Sequence, residues 1–326
     1  MSLLHPPSQE HPILVLGSLG QIGTDLVETL RNRYGAEAVI SSDLKPAQPE
    51  YGRYVQLDAL DAAGLEAVVE REGVEQLYHL VAMLSATAEK FPDRGWDLNM
   101  RSLFIALELA KNGKLKRLFW PSSIAAFGPN SPKTDCPQYT VMDPSTVYGI
   151  SKLSGELWCD YYHRVYGVDV RSVRYPGLIS WKADPGGGTT DYAVEIFHEA
   201  LKTNRYTSFL GPDTRLPMMY MDDAIDSTIR IMEAPMEQVR IRTSYNLSAI
   251  AFTPAELAAE IDRQRPGFTI DYRPDFRQQI ADGWPSSIAD EVAREDWGHK
   301  PHFGLSEMVT EMFRHLGPRY ASISSR

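Results

Sequence analysis

Residues 13–23 read ILVLGSLGQIG. The first four are apolar without interruption, the pattern of a strand buried on both faces of a parallel sheet. Gly17, Gly20 and Gly23 then punctuate a turn, and residues 22–33 carry the period of an amphipathic helix. Glycines at a strand–helix junction let the main chain turn tightly and approach a pyrophosphate. The helix N-terminus presents free N–H groups and a positive dipole end to the same anion. Gly17, Gly20, Gln21, Ile22 and Gly23 are therefore the candidate phosphate-binding residues. The spacing has one residue more between its first two glycines than Gly-x-Gly-x-x-Gly. Alone it is a weak signal; the strand before it and the helix after it give it meaning.

The same alternation runs outward from this junction. Residues 38–40, 54–56, 76–80, 117–120 and 169–174 read as further strands, and 62–72, 97–112 and 148–166 as helices. Gly113 ends one helix and Pro121 closes one strand. Strands and helices at this rhythm imply right-handed βαβ units and an α/β, doubly wound parallel sheet of the Rossmann type. The rhythm breaks near Tyr175. Residues 176–190 read as a long loop. A helix at 191–202, a strand at 207–210, a helix after Asp222-Asp223, a strand at 245–247, a helix from Pro254 and a strand at 268–272 follow. The sequence thus divides into a nucleotide-binding domain over 1–175 and a smaller C-terminal lobe over 176–326 that is mainly substrate-binding. Stretches near 220–250 are expected to return to the first domain.

Composition narrows the class. The 326 residues carry a net charge of −10 and no Lys/Arg cluster, which argues against nucleic-acid binding. No apolar run is long enough to span a membrane. Residues 1–12 have neither the basic start nor the apolar core of a signal peptide and read as a short disordered lead. Cys136 and Cys159 are the two cysteines, too few for a disulfide scaffold, so a reducing cytoplasmic setting is expected.

Chemistry enters at four places. Asp43 ends the second strand, 20 residues after Gly23, where a carboxylate accepts both hydroxyls of an adenosine ribose and repels a 2′-phosphate; NAD is expected over NADP. Asp58, after the third strand, is placed to meet the adenine amino group, and Leu80, ending the fourth, to line the cofactor. Tyr148 and Lys152 stand four apart on one helix face. A phenol titrates near 10 and is a poor base at neutral pH unless an ammonium beside it favours the phenolate. Ser122-Ser123 ends the fifth strand at the carboxyl edge of the sheet, where ligands bind in such folds. A hydroxyl, a phenol and an ammonium beside a dinucleotide site form an oxidoreductase set.

Together, Gly17/Gly20/Gly23, Asp43, Ser122-Ser123 and Tyr148-x-x-x-Lys152 resemble the extended short-chain dehydrogenase/reductases over nearly the whole chain. Within that superfamily, residues 174–201 (RYPGLISWKADPGGGTTDYAVEIFHEAL) and 215–225 (RLPMMYMDDAI) look like the L-threonine 3-dehydrogenases. The run Gly186-Gly187-Gly188-Thr189-Thr190-Asp191-Tyr192 is the sharpest part, and Asp282-Gly283-Trp284-Pro285 adds to it.

The resemblance implies NAD-dependent oxidation of the 3-hydroxyl of L-threonine to 2-amino-3-oxobutanoate. Tyr148 would be the general base. Ser123, with Ser122 also contributing, would hold the substrate oxygen, and Lys152 would bind ribose and lower the Tyr148 pKa. Ser85, Gly187, Thr189, Thr190 and Trp284 would surround the amino acid, and Pro176 would line the nicotinamide side. It also implies a homodimer, with helix 148–166 as a plausible face. The scheme requires no metal, since His299 and His302 lack an accompanying ligand cluster. Two rivals stand beside it: a UDP-sugar 4-epimerase, and a non-catalytic NAD-sensing protein.

Overall fold

The computed structural model describes residues 4–324. The chain begins with β1 (Ile13–Leu16), α1 (Gln21–Tyr34), β2 (Val39–Asp43), β3 (Tyr54–Gln56), α2 (Ala62–Glu72) and β4 (Gln76–His79). It continues through α3 (Ser85–Lys90), α4 (Pro92–Lys111), β5 (Arg117–Phe119), β6 (Ser122–Ser123), α5 (Val147–Tyr166), β7 (Val170–Arg171) and β8 (Val173–Tyr175). All pairings in the main sheet are parallel, in the order β3-β2-β1-β4-β5-β7. The connections reverse direction between β1 and β4, and the carboxyl ends of those strands open the crevice where a doubly wound sheet takes its ligand.

Apolar strands explain the layering. Ile13 to Leu16 are fully buried, with Ile13 and Val15 packing on one face against α1 and Leu14 and Leu16 on the other against α2 and α4. Trp120 and Pro121 interrupt the strand 117–123 and divide it into β5 and β6; proline has no N–H for the ladder. β6 and β8, which follow β5 and β7 in the chain, pair in parallel in a second sheet.

The rest of the chain supplies β9 (Gly177–Ile179), α6 (Tyr192–Thr203), β10 (Arg205–Ser208), β11 (Leu216–Tyr220) and α7 (Met221–Glu233). After these come β12 (Tyr245–Asn246), β13 (Ile250–Phe252), α8 (Pro254–Gln264), β14 (Thr269–Tyr272), α9 (Phe276–Asp282), α10 (Glu291–Trp297) and α11 (Leu305–Ser324). β12 pairs in parallel with β8, so residues 245–246 return to the first half of the chain in a three-stranded sheet, β12-β8-β6. β11 lies between β9 (parallel) and β13 (antiparallel). A separate core gathers α6, α8 and α11 with Phe127, Phe209 and Phe252.

Three expectations need correction. Residues 176–190 are not all loop, because Gly177–Ile179 forms β9, and Ile179 is fully buried. A Cβ on Gly177 would meet Met218 Sδ at 2.4 Å and Thr190 Cγ2 at 2.7 Å, so the absent side chain leaves room for those two to pack over β9. Helix 97–112 begins five residues earlier, at Pro92, where proline suits the first helical turn. Residues 4–12 are no free lead: His5 and His11 fold back onto Glu75 at the amino-terminal edge of β4.

Candidate active site

The cleft is built from two joined pockets, and Leu80 and Ala82 line both. The first contains Gly17, Gly20, Asp43, Leu57 and Asp58. Gly17 has a φ of +85°, and a side chain there would press on Val81 at 3.1 Å. A Cβ on Gly23 would fall 2.4 Å from the Gly17 carbonyl oxygen. Gly20 differs: a Cβ there would meet only that oxygen, at 3.4 Å, and would otherwise project into free space. Gly20 is also the cap position of α1 and gives it no side-chain cap. The first-turn N–H groups therefore face the cleft unclaimed by a side chain, which fits a pyrophosphate.

Asp43 is locked to this turn. Its Oδ2 accepts from the Leu19 N–H (3.1 Å) and its Oδ1 from the Leu44 N–H (2.8 Å). The exposed Asp58 lines the same pocket and accepts from the Leu60 N–H through Oδ1 (2.9 Å). Two carboxylates at one end of a cleft, with a bare helix N-terminus in the middle, match the polarity of an adenosine diphosphate with its ribose. The residues present fit a dinucleotide.

The second pocket, open to solvent on one side, is lined by Gln21, Ile22, Ser122, Ser123, Tyr148, Lys152 and Pro176, with Ser85, Thr189, Thr190 and Trp284 also in its wall. Thr146 caps α5 by accepting from the Gly149 N–H at 3.0 Å, which fixes Tyr148 in its first turn. Loss of water around the phenol pushes its pKa up to about 12, and the neighbouring Ser123 hydroxyl draws it partly back. Burial brings the Lys152 ammonium down to about 7, with Cys159 and Glu156 opposing. Lys152 Nζ donates to the Pro121 carbonyl (2.6 Å), 4.4 Å from the centre of the Trp120 ring and 5.5 Å from that of Tyr148.

The adjacent serines part company. Ser123 lines the pocket with Tyr148, whereas Ser122 Oγ donates to Glu156 Oε1 (2.5 Å). Glu156 in turn holds Arg174 through two bonds of 2.9 and 2.7 Å. Ser122, expected to share the substrate oxygen, is thus committed to a buried ion pair. Successive side chains on a strand point to opposite faces, so the Ser122 hydroxyl is held by Glu156 although the residue also lines the pocket.

At the far side Ser85 Oγ and Thr189 Oγ1 meet at 3.4 Å, both buried. Gly187, expected at the substrate, is exposed and lies outside the cleft wall, and Gly188 takes its place.

The family model for the NAD dependent epimerase/dehydratase family matches residues 13–248. The chain belongs to that family. An uncharacterised epimerase/dehydratase of Staphylococcus haemolyticus is 47% identical over 93% of this chain and 96% of its own. Among solved structures, a holo L-threonine dehydrogenase from Cupriavidus necator is 56% identical, with a TM-score of 0.92 over 94% of this chain and 99% of its own. An L-threonine dehydrogenase from Phytophthora infestans, 46% identical over 94% of this chain and 99% of its own, has the same TM-score.

Three residues of this epimerase/dehydratase family member escaped the sequence reading. Asp191 lines the cleft and accepts from the N–H groups of Gly187 (2.7 Å) and Gly188 (2.8 Å), so one carboxylate shapes the glycine run. Its place directly after that run was the available signal. Buried Asn99 accepts from the Met83 N–H (2.8 Å) and donates to Ser151 Oγ (3.1 Å), tying the cleft loop after β4 to α5. A lone asparagine on the apolar face of α4 marked it. Lys133 donates to the carbonyls of Asp282 (2.8 Å) and Trp284 (3.3 Å) from 150 residues away, and no local pattern foretold it.

Proposed function

We propose that this chain oxidises L-threonine at its 3-hydroxyl with NAD+, giving 2-amino-3-oxobutanoate, NADH and a proton. The observation that carries this reading is the gathering of Ser123, Tyr148 and Lys152 in one pocket whose other wall is Ser85, Thr189 and Trp284. The 44–56% identical L-threonine dehydrogenases support it. NAD+, when bound, supplies the hydride acceptor. The residues do the rest. Tyr148 Oη takes the hydroxyl proton and Ser123 Oγ holds the oxygen that loses it. Lys152 favours the phenolate and binds the nicotinamide ribose. Gly17, Gly20 and the first turn of α1 hold the phosphates, Asp43 the adenosine ribose and Asp58 the adenine. In this reading residues 1–175 carry the cofactor and 176–326 mainly the amino acid.

A sugar-nucleotide substrate finds less support. Arg215, the only basic residue of 210–220, is spent on the Ala251 carbonyl (2.6 Å) and on Glu256. Purified protein given L-threonine and NAD+ at alkaline pH should produce absorbance at the NADH band. Turnover of a UDP-hexose with none of threonine would overturn the assignment. Asp43→Ser should raise the KM for NAD+ at least about tenfold, because hydrogen bonds to a charged group are worth about 1.5–3 kcal/mol, and should admit NADP+. Equal use of NADP+ by the unaltered chain would refute the role of Asp43.

We further read the enzyme as a cytoplasmic homodimer. Both cysteines are free and buried, and no helix among the described residues is long and apolar enough to cross a membrane. α5 exposes Leu157, Trp158, Tyr161 and Val165 in one band, an apolar face suited to a second copy. Light scattering should give twice the chain mass, and Trp158→Glu should shift it to one chain. A monomeric unaltered protein would remove this reading.

A further inference from the structure

The N-terminal lead holds a group of donors that the cleft chemistry does not use. The Ser8 N–H donates to the His11 carbonyl (3.2 Å) and the His11 N–H to Ser8 Oγ (3.1 Å), and Pro6-Pro7 stiffen the segment before them. This turn brings His5 and His11 face to face, with ring centres 3.9 Å apart and planes within 10°. Glu75, largely buried just before β4, lies beneath them. Its Oε1 is 2.6 Å from His5 Nδ1 and 3.4 Å from His11 Nδ1. Its Oε2 accepts from the His5 N–H at 2.9 Å, which clamps the carboxylate's orientation. One donor atom from each of the three residues lies within 4.8 Å of the others.

We propose that His5 Nδ1, His11 Nδ1 and Glu75 Oε1 form a binding site for a divalent transition-metal ion of the zinc class. Zinc bonds of about 2.0–2.2 Å in a tetrahedron set neighbouring donors about 3.4 Å apart. The His11–Glu75 separation already has that value. The His5–Glu75 separation is that of a hydrogen bond and opens by less than 1 Å on ligation. Two imidazoles and one carboxylate suit zinc, nickel or copper rather than magnesium or calcium, and water completes the shell. Ligation uses the Nδ1 lone pair of each ring, which lies in the ring plane, so the ring proton resides on Nε2 and the stacked rings must turn out of their parallel arrangement to share one ion; His5, with half of its side chain in solvent, is free to turn.

Lys116 shows where a cation is drawn. Its Nζ stands 2.6 Å from the same Glu75 oxygen and 3.3 Å from His5 Nδ1. The ammonium and the metal ion compete for one position, and the flexible lysine stem lets the ammonium withdraw. The site would tie the lead, whose His11 lies two residues before β1, to the amino-terminal edge of β4 and β5. The cleft opens at the opposite, carboxyl edge of those strands, so bound metal should stabilise the fold without touching turnover.

The test uses the full chain without an affinity tag, stripped with a chelator and titrated calorimetrically with zinc chloride. One equivalent should bind, and Tm should rise with zinc. His11→Ala and His5→Ala should each abolish both effects. Both lie in the lead, so the fold survives. Lys116→Met should tighten binding by at least about tenfold, because a unit charge repelling a divalent ion at about 4 Å is removed. Absence of stoichiometric zinc binding, binding that survives both histidine changes, or weaker binding in Lys116→Met would each overturn the proposal.

Discussion

Tyr148→Phe should lower kcat for threonine oxidation by about 10²–10⁴-fold, the range that positioned proton transfer contributes. It should leave NAD+ binding unchanged. The substitution removes one oxygen and keeps the ring, which packs against the apolar core of the C-terminal half. Lys152 retains its bond to Pro121 and its place over Trp120. The defect should therefore fall on the chemical step, with the cofactor's dissociation constant, read by calorimetry, as the control. More than a tenth of the activity remaining would take the proton-accepting role away from Tyr148.

The same residue sets the pH dependence. Desolvation holds the phenol near 12, so at neutral pH only a small fraction is phenolate. Below that pKa the active fraction grows about tenfold per pH unit, and kcat/KM should climb from neutral into the alkaline range. Lys152 is lowered to about 7 by its own burial. An ammonium 5.5 Å from the ring centre would favour the phenolate, so the rising limb should steepen or shift when Lys152 is replaced. A profile flat between pH 7 and 9 would contradict this.

Local features were legible and long-range ones were not. The ILVL strand, the glycine turn and Tyr148-x-x-x-Lys152 are each written within a few residues, where burial and helical period act directly. Ser122 and Ser123 show the limit. Both residues sat at the right strand end, but which one faced the cleft depended on strand register and on Glu156, 34 residues away. Ser85 and Thr189 were named separately, and their contact spans 104 residues. β9 begins with a glycine and follows Pro176, so its sequence reads as a turn; pairing with β11 makes it a strand. α11 went unseen for a similar reason. Gly317-Pro318 looks like a helix stop, yet Pro318 lies inside the helix while Met308, Met312 and Leu316 are buried in the core. Tertiary burial there outweighs a residue that costs about 3 kcal/mol in a helix interior.

Asp169→Asn should destabilise the fold by at least about 3–5 kcal/mol, the cost of stripping the partner from a buried charge. Asp169 precedes β7, and three guanidinium groups converge on it: Arg117 Nε (2.8 Å), Arg171 Nε (2.9 Å) and Arg242 Nη1 (2.7 Å). Arg171 is fully buried and Arg242 nearly so. Despite its own burial, these cations hold the carboxyl well below the usual carboxylate range. The same arginines collect the carbonyls at the end of α7. Arg171 donates to Ile231 (2.5 Å) and Ala234 (2.7 Å), and Arg117 to Met232 (2.5 Å). An asparagine keeps the shape and leaves three cations without a counter-charge, so the helix end and the sheet edge lose their common anchor. A domain stable by about 5–15 kcal/mol cannot absorb that loss without a marked fall in denaturation midpoint. By contrast, Glu233→Gln, which breaks the surface pair with Arg33, should cost under about 1 kcal/mol. The depressed carboxyl also fixes the sign with acid. Its contribution is complete above the unfolded-state value near 3.9 and is lost as the pH falls below it. Urea midpoints at pH 7 for the two variants decide the matter, and equal shifts would show that the Asp169 cluster is no stronger than a surface pair.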